Sequence, residues 1–227
     1  MKLSVVMPVY NEIQTIHEII QRVQQVQLEK ELIIVDDYST DGTRDYLQTL
    51  TDDNITILLH ESNQGKGAAL QTGFRQVHGD VVVIQDADLE YNPDEYYRLL
   101  KPITENRADV VYGSRFLTGS ERRVLFFWHY LGNKFLTFLS NMVTDLNLSD
   151  METCYKMFRA EVLKEISFEQ KRFGFEPEFT VKVANGRYRI YEVGISYHGR
   201  DYAEGKKISW KDGLAVPWCL LKYRFFA

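Results

Sequence analysis

The chain has 227 residues, enough for one domain with a sizeable core, and 44% of them are hydrophobic. Lys plus Arg number 27 against 32 Asp plus Glu, a net charge of −5, which gives no electrostatic basis for a nucleic-acid partner. No apolar run reaches the roughly 18 to 20 residues that cross a bilayer, and the apolar run at the amino terminus is too short for a signal peptide.

Taken in order, Leu3 to Pro8 reads as a strand stopped by proline, with Tyr10-Asn11-Glu12 after it. Ile13, Ile16, Ile19, Ile20 and Val23 follow at helical spacing, with Asn11 as the expected cap. Leu32 to Val35 is a second buried strand ending in Asp36-Asp37, and Thr43 to Leu50 reads as a helix. Ile55 to Leu59 is a third strand, and the glycine-rich turn Asn63-Gln-Gly65-Lys66-Gly67 opens a helix from Ala68 to about Val77. A short strand from Val81 to Ile84 runs into Asp86, Asp88 and Glu90. Asn92-Pro93-Asp94-Glu95 starts a helix, and Ala108 to Tyr112 is a further strand closed by Gly113-Ser114-Arg115. Strands alternating with helices predict an α/β fold with a mostly parallel sheet, in which ligands bind at the carboxyl ends of the strands.

The second half is less regular. Val124 to about Leu148 is rich in aromatic residues and follows Arg122-Arg123; it reads as a core helix or as an apolar surface beside a basic pair. Cys154 to Ile166 reads as strand then helix, Glu176-Pro177-Glu178 starts a helix through Ala184, and Arg189 to Tyr197 alternates like a strand. Trp210 to Phe226 reads as an amphipathic helix broken near Pro217. Arg200, Lys206, Lys207, Lys211, Lys222 and Arg224 make this end basic, which suits a phosphate, an anionic membrane or plain solvation. Cys154 and Cys219 lack metal-ligand spacing and read as buried thiols of a reducing compartment. The expected location is cytoplasmic, with peripheral membrane contact allowed.

The acidic stretch carries the sharpest chemistry. If strand geometry continued, Asp86, Asp88 and Glu90 would share one side and repel one another, which invites a hard divalent cation such as Mg²⁺ or Mn²⁺ holding a diphosphate. Asp-x-Asp alone fits a solvated acidic turn equally well. Tyr10 could stack on a base, Asp36 or Asp37 could accept from a base or ribose, and Lys66 could reach a phosphate or an acid of the site; Lys66 also reads as a solvated turn lysine. The turn lacks the spacing of a P-loop, and no Gly-x-Gly-x-x-Gly follows the first strand. A nucleotide diphosphate without a P-loop points to a nucleotide-sugar or nucleotidyl donor.

The ordered set Val6-Met-Pro-Val-Tyr-Asn-Glu12, Val35-Asp-Asp-Tyr-Ser-Thr-Asp-Gly-Thr43, Asn63-Gln-Gly-Lys-Gly67, Asp86-Ala-Asp-Leu-Glu90, Gly113-Ser-Arg115 and Gly174-Phe-Glu-Pro-Glu178 resembles family-two glycosyltransferases of the GT-A fold. Within them it is similar to the branch of dolichol-phosphate mannosyltransferases and bacterial polyprenyl-phosphate sugar transferases. The resemblance implies one GT-A domain over 1–227, with a nucleotide-sugar-binding half at 1–115 and an acceptor half at 116–227. It implies donor contacts from Pro8, Tyr10, Glu12, Asp36, Asp37, Lys66, Asp86, Ala87, Lys206 and Lys207, and a metal held by Asp86, Asp88 and Glu90. Arg115, Arg122, Arg123 and Lys156 would meet a lipid-phosphate acceptor, with Asp88 and Arg200 at the reacting centre. A phosphate acceptor needs no strong base; a hydroxyl acceptor does, and Glu178, Glu176 and Asp150 are the candidates. Glu90 stands where many lipid-phosphate members carry Gln, and Cys154 where Gly is common. A nucleotide-sugar-binding protein without turnover is the alternative of another class.

Overall fold

The computed structural model describes residues 1–117, 123–124, 126–172, 174–201 and 215–226. Its strands are β1 (Leu3–Val9), β2 (Lys30–Asp36), β3 (Ile55–Leu59), β4 (Val81–Ile84), β5 (Val110–Ser114), β6 (Lys156–Arg159) and β7 (Ile190–Gly194). Among the described residues these seven form one sheet in the order β3-β2-β1-β4-β6-β5-β7. β1 pairs in parallel with β2 and β4, β2 with β3, and β5 with β7. The central strands β1, β2 and β4 are buried almost throughout, so their unbroken apolar runs are those of a sheet covered on both faces.

β6 alone runs against its neighbours, antiparallel to both β4 and β5. The reversal has a functional consequence. The carboxyl ends of β1, β2, β4, β5 and β7 share one edge of the sheet, and β6 begins at that edge. The 149–155 segment is thereby delivered beside Asp86, Tyr91 and Arg115.

The helices are α1 (Ile16–Gln25), α2 (Thr43–Leu47), α3 (Lys66–Phe74), α4 (Tyr96–Thr104), α5 (Phe127–Thr144), α6 (Val162–Glu165), α7 (Phe175–Asn185) and α8 (Val216–Phe225). α1 buries Ile16, Ile19, Ile20 and Val23, the stripe its spacing predicts. Asn11 does not cap it. Its backbone is left-handed (φ 51°) and its side chain accepts from the Thr40 amide at 2.8 Å, tying the first loop to the second. Asn92 does cap the turn Pro93–Glu95, accepting from the Asp94 amide at 3.1 Å. Pro217 lies in the first turn of α8 and so starts the helix rather than breaking it. Trp210 and the residues to 214 lie outside the described residues.

α5 departs most from a core helix. Its buried residues are Thr137, Ser140 and Thr144, whereas Phe127, Trp128, Phe135, Phe138 and Met142 are each more than half exposed. Leu136, Leu139 and Val143 pack inward as a second, narrower stripe.

α3 lies on the sheet through Gly73. A Cβ there would stand 2.6 Å from Val6 Cγ1 and 3.3 Å from Val35 Cγ2. Alanine gains about 1 kcal/mol in helix propensity but overpacks a stiff β-branched pair at a cost of about 1–3 kcal/mol. Gly73→Ala is therefore expected to lower the urea midpoint at unchanged m-value, and an unaltered midpoint would show that α3 can shift outward.

Candidate active site

One end of the candidate site is built from the loops after β1 and β2. Pro8 sits inside β1, buried, in register with Val35. Tyr10, just past the strand, is 41% exposed, as a base-stacking ring must be. Asp36 is fully buried, bonded to the Ser39 amide and paired with Arg44 Nε at 2.8 Å. Asp37 accepts from the amides of Gln64 (2.8 Å) and Gly65 (2.7 Å) and faces His60 Nδ1 at 2.8 Å. A carboxylate offers about four acceptor positions, so Asp37 keeps one for a ligand N–H or O–H while shaping the glycine-rich turn. Asp36, the other donor candidate, is a loop anchor. Arg44 and His60 were not legible in the sequence, since neither stands in a motif and each reaches its aspartate only through the fold.

Gly65 takes φ +98°, and a Cβ on it would meet the Lys171 carbonyl oxygen at 2.4 Å. A Cβ on Gly67 would likewise meet the Gln170 carbonyl oxygen, at 2.1 Å. The two glycines admit the 170–172 backbone over the turn and aim Lys66 at the sheet edge. Lys66 Nζ stands 2.9 Å from Asp86 and 3.2 Å from Glu176. Burial opposes its charge, yet Asp86 and Glu176 hold it protonated, well above the usual lysine range. Burial likewise raises Asp86, but the Lys66 ammonium outweighs it and holds that carboxyl low.

Arg200 follows β7 and enters the same edge. Its guanidinium lies 2.8 Å from Asp88 and 3.2 Å from Glu12, and its backbone N–H donates to Glu90 at 2.7 Å. Tyr197 also donates to Glu90, at 2.9 Å. The acidic stretch is not extended after Ile84, so its carboxylates part company: Asp86 turns to Lys66, Asp88 and Glu90 to Arg200. Among the described residues no three His, Cys, Asp or Glu side chains gather as a metal cluster. The expected three-carboxylate set is thus not assembled, and Glu90 is committed to Tyr197 and Arg200. Burial and the carboxylates of Glu90 and Asp86 push Asp88 up to about 8, against the pull of Arg200. A buried carboxyl beside two further carboxylates, with one guanidinium against it, fits a hard divalent cation at Asp88 and Asp86.

At the other end Arg115 grips Asp150 through Nε and Nη2, both at 2.7 Å, and lies 5.2 Å from the Tyr197 ring centroid. Asp150 is fully buried in this fork and cannot serve as a base. Ser149 and Asp150 are held in turn by Glu192, which accepts both amides. Arg123 donates to the Gly199 carbonyl at 3.2 Å. Lys156 does not reach an open phosphate site. It is fully buried, and its ammonium donates to the carbonyls of Met151 and Thr153, so it props the acceptor turn from beneath. Lys134, absent from the sequence reading, takes a place there instead. It donates to the Ser149 carbonyl at 3.1 Å and lies 4.7 Å over the Phe116 ring. Arg122, Lys206 and Lys207 lie outside the described residues.

Glu178 and Glu176, two positions apart, have unlike roles. Glu178 is fully buried, accepts the amides of Glu169 and Gln170 at 2.8 Å, and pairs with Lys182. It is a loop anchor, not a base. Glu176 points to Lys66 in the site. Neighbouring Glu152, also missed by the sequence reading, keeps a buried Oε1 without a hydrogen-bond partner.

Fold and site together define an α/β protein whose charged side chains gather at the carboxyl edge of a mostly parallel sheet. Residues 4–167 match the family model Glycosyl transferase family 2, and the chain belongs to that family of glycosyltransferases. It is 31% identical over 218 residues to an undecaprenyl-phosphate mannosyltransferase of Micrococcus luteus, covering 91% of this chain and 87% of the relative. It is 28% identical to a dolichol-phosphate mannosyltransferase of Pyrococcus furiosus, of which it spans 61%. Among solved structures, glucosyl-3-phosphoglycerate synthase from Mycobacterium tuberculosis, in complex with Mn²⁺, UDP and phosphoglyceric acid, superposes with a TM-score of 0.74 at 20% identity, over 100% of this chain and 79% of that one. That likeness confirms the GT-A fold.

Two outcomes test these assignments. Glu178→Gln should cost about 1–3 kcal/mol of stability in urea titration while leaving kcat of the folded enzyme nearly unchanged; a loss of 10²–10⁴-fold in kcat would restore it as a general base. Protons and cations compete for Asp88, which is protonated below about 8. Mn²⁺ affinity, followed by electron paramagnetic resonance, should therefore rise between about pH 6 and 8, and Asp88→Asn should flatten the rise. A wild-type affinity independent of pH would remove Asp88 from the metal.

Proposed function

We propose that this glycosyltransferase moves a hexose from a nucleotide-sugar to a polyprenyl phosphate at an anionic membrane face. The observation that carries the reading is a continuous path. The Lys66–Asp86 and Arg200–Asp88 pairs lead to Arg115, and Arg115 leads through the Ser149–Asp150 turn to Lys134 of α5. α5 then presents its exposed aromatic face, and α8 adds Trp218, Phe225 and Phe226. Neither helix carries an Asp or Glu, while Lys134, Lys222 and Arg224 are basic. In a chain of net charge −5, two helices without acids that expose aromatic side chains and carry Lys134 and Arg224 suit anionic lipid, although Lys222 is paired with Glu169 at 2.7 Å. No helix among the described residues is long and apolar enough to cross a membrane, so the contact proposed is peripheral. The relatives named for undecaprenyl- and dolichol-phosphate mannosyl transfer support the same acceptor class.

In this reading Tyr10 and Asp37 receive the nucleoside, and Lys66 and Arg200 face the diphosphate. An acceptor phosphate oxygen near Arg115 and Lys134 attacks the anomeric carbon in line. The bond from that carbon to the diphosphate oxygen breaks, and the anomeric configuration inverts. The attacking oxygen is already anionic, so no base is required, in keeping with the commitments of Asp150 and Glu178. Asp88 and Asp86 would hold Mg²⁺ or Mn²⁺, which when bound offsets the charge of the leaving diphosphate. A hydroxyl acceptor is the second reading, and Glu176, the one candidate base facing Lys66, is the observation that favours it.

The test is a donor panel (GDP-mannose, UDP-glucose, UDP-galactose) with Mn²⁺, with and without a short polyprenyl phosphate in anionic vesicles. Lipid-dependent transfer from one donor is expected, and Trp128→Ser combined with Phe135→Ser should lose most of the stimulation by vesicles. Donor binding or slow hydrolysis without a lipid product would overturn the lipid acceptor.

A further inference from the structure

The proposed reading leaves a space that must hold the donor sugar. The diphosphate end is marked by Lys66, Asp86, Asp88 and Arg200, and the acceptor end by Arg115 and Lys134. Between them lie the 150–154 turn, brought in by the reversed strand β6, and the first turn of α7. These elements carry Glu152 and Glu176.

Among the described residues, two charged groups around this space keep a buried atom without a hydrogen bond, Glu152 Oε1 and Arg200 Nε, and Arg200 Nε still has the Glu90 carboxylate 3.6 Å away. Asp150 is taken by Arg115, Glu176 by Lys66, Glu178 by Lys182, and Lys156 by the carbonyls of Met151 and Thr153. Glu152 Oε1 is shielded from solvent and accepts no hydrogen bond. A buried carboxyl oxygen left unmet costs stability, so its retention calls for a partner that arrives with a ligand. The partner's chemistry follows from the surroundings. Burial and the Glu176 carboxylate push Glu152 up to about 8, although Lys156 and Arg115 pull the other way. At neutral pH such a group is a carboxylic acid, able to give one hydrogen bond and accept another. Hydroxyls do both. Phosphate is a poor match, because Glu176 and the site aspartates repel it while Lys66, Arg200 and Arg115 stand ready for it.

We propose that Glu152 is a specificity-determining residue that hydrogen-bonds a hydroxyl of the donor sugar, selecting a neutral hexose over a uronic acid or a sugar deoxygenated at that position. The assignment deepens the proposed glycosyl transfer and depends on it only for the order of groups along the site. A site built to bond a hydroxyl rejects an analogue lacking it, because the protein group is then left unpaired.

The experiment compares wild type, Glu152→Ala and Glu152→Gln, first by calorimetry and then by turnover. Titrants are the accepted nucleotide-sugar, its 2-, 3-, 4- and 6-deoxy forms, the matching uronic-acid donor, and the sugar-free nucleoside diphosphate. Wild type should bind one deoxy form about 10- to 100-fold more weakly than the full donor, and Glu152→Ala should shrink that gap to about threefold or less. Affinity for the nucleoside diphosphate and KM for the polyprenyl phosphate should stay within about twofold of wild type. Glu152→Gln, which keeps one donor and one acceptor, should retain part of the discrimination and guards against a failure of the alanine variant to fold. Equal losses for donor and bare diphosphate, or an unchanged preference among the deoxy donors, would overturn the proposal. Because binding is read without an acceptor, absence of lipid product would count against the lipid-phosphate reading alone.

Discussion

Among the described residues, the carboxyl edge of the sheet gathers more carboxylates than cations, and the architecture of the site follows from that excess. Glu12, Asp86, Asp88, Glu90 and Glu176 converge there, and Lys66 and Arg200 are the described cations that pair with them. Each cation bridges acids from distant parts of the chain. Lys66 joins the loop after β4 to the first turn of α7, and Arg200 joins the ends of β1 and β4 to the segment after β7. Removing either would leave paired carboxylates facing one another in a poorly hydrated space, where like charges are costly. The sheet therefore presents a surface that favours an incoming cation and tolerates a diphosphate only where Lys66 and Arg200 already stand.

Much of this was readable before folding. The apolar runs of β1, β2 and β4 each stop at polar residues, and a parallel sheet gathers such ends, so Tyr10, Glu12, Asp37, Lys66 and Asp86 were identified as neighbours from order alone. The reversal of β6 was not readable, since four apolar-to-mixed residues carry no sign of direction. It matters because it turns the 149–155 segment into the floor of the site. Side-chain roles were harder still. Glu176 and Glu178 look alike in a helix-start motif, but the turn of the helix sends one to Lys66 and the other under the Glu169 and Gln170 amides. Lys156, which the resemblance implied as a phosphate ligand, is buried beneath the turn, and Lys134, which stands in no motif, reaches Ser149 only through the fold.

α5 shows the same limit in another form. Its aromatic residues satisfy the pattern of a core helix, and periodicity alone does not state which side of a helix meets the protein. Here Thr137, Ser140 and Thr144 are buried and Trp128 and Phe138 are exposed. Thr144 returns its hydroxyl to the Ser140 carbonyl and Thr137 accepts the Met151 amide, while the Ser140 hydroxyl is buried without a hydrogen bond. The inner face of α5 thus mixes a small polar stripe with Leu136, Leu139 and Val143, and its outer face is aromatic.

The close approach of the 170–172 backbone to the glycine-rich turn ties two regions far apart in sequence into one mechanical unit. The Ala68 amide donates to the Lys171 carbonyl at 3.0 Å, while Glu178 clamps the amides immediately before it. Asp37 holds the other side of the turn. The glycine-rich loop is thus held from both sides. Opening it would break the bonds that fix residues 169–171 to α7, so its amide protons are expected to exchange together with those of residues 169 and 170.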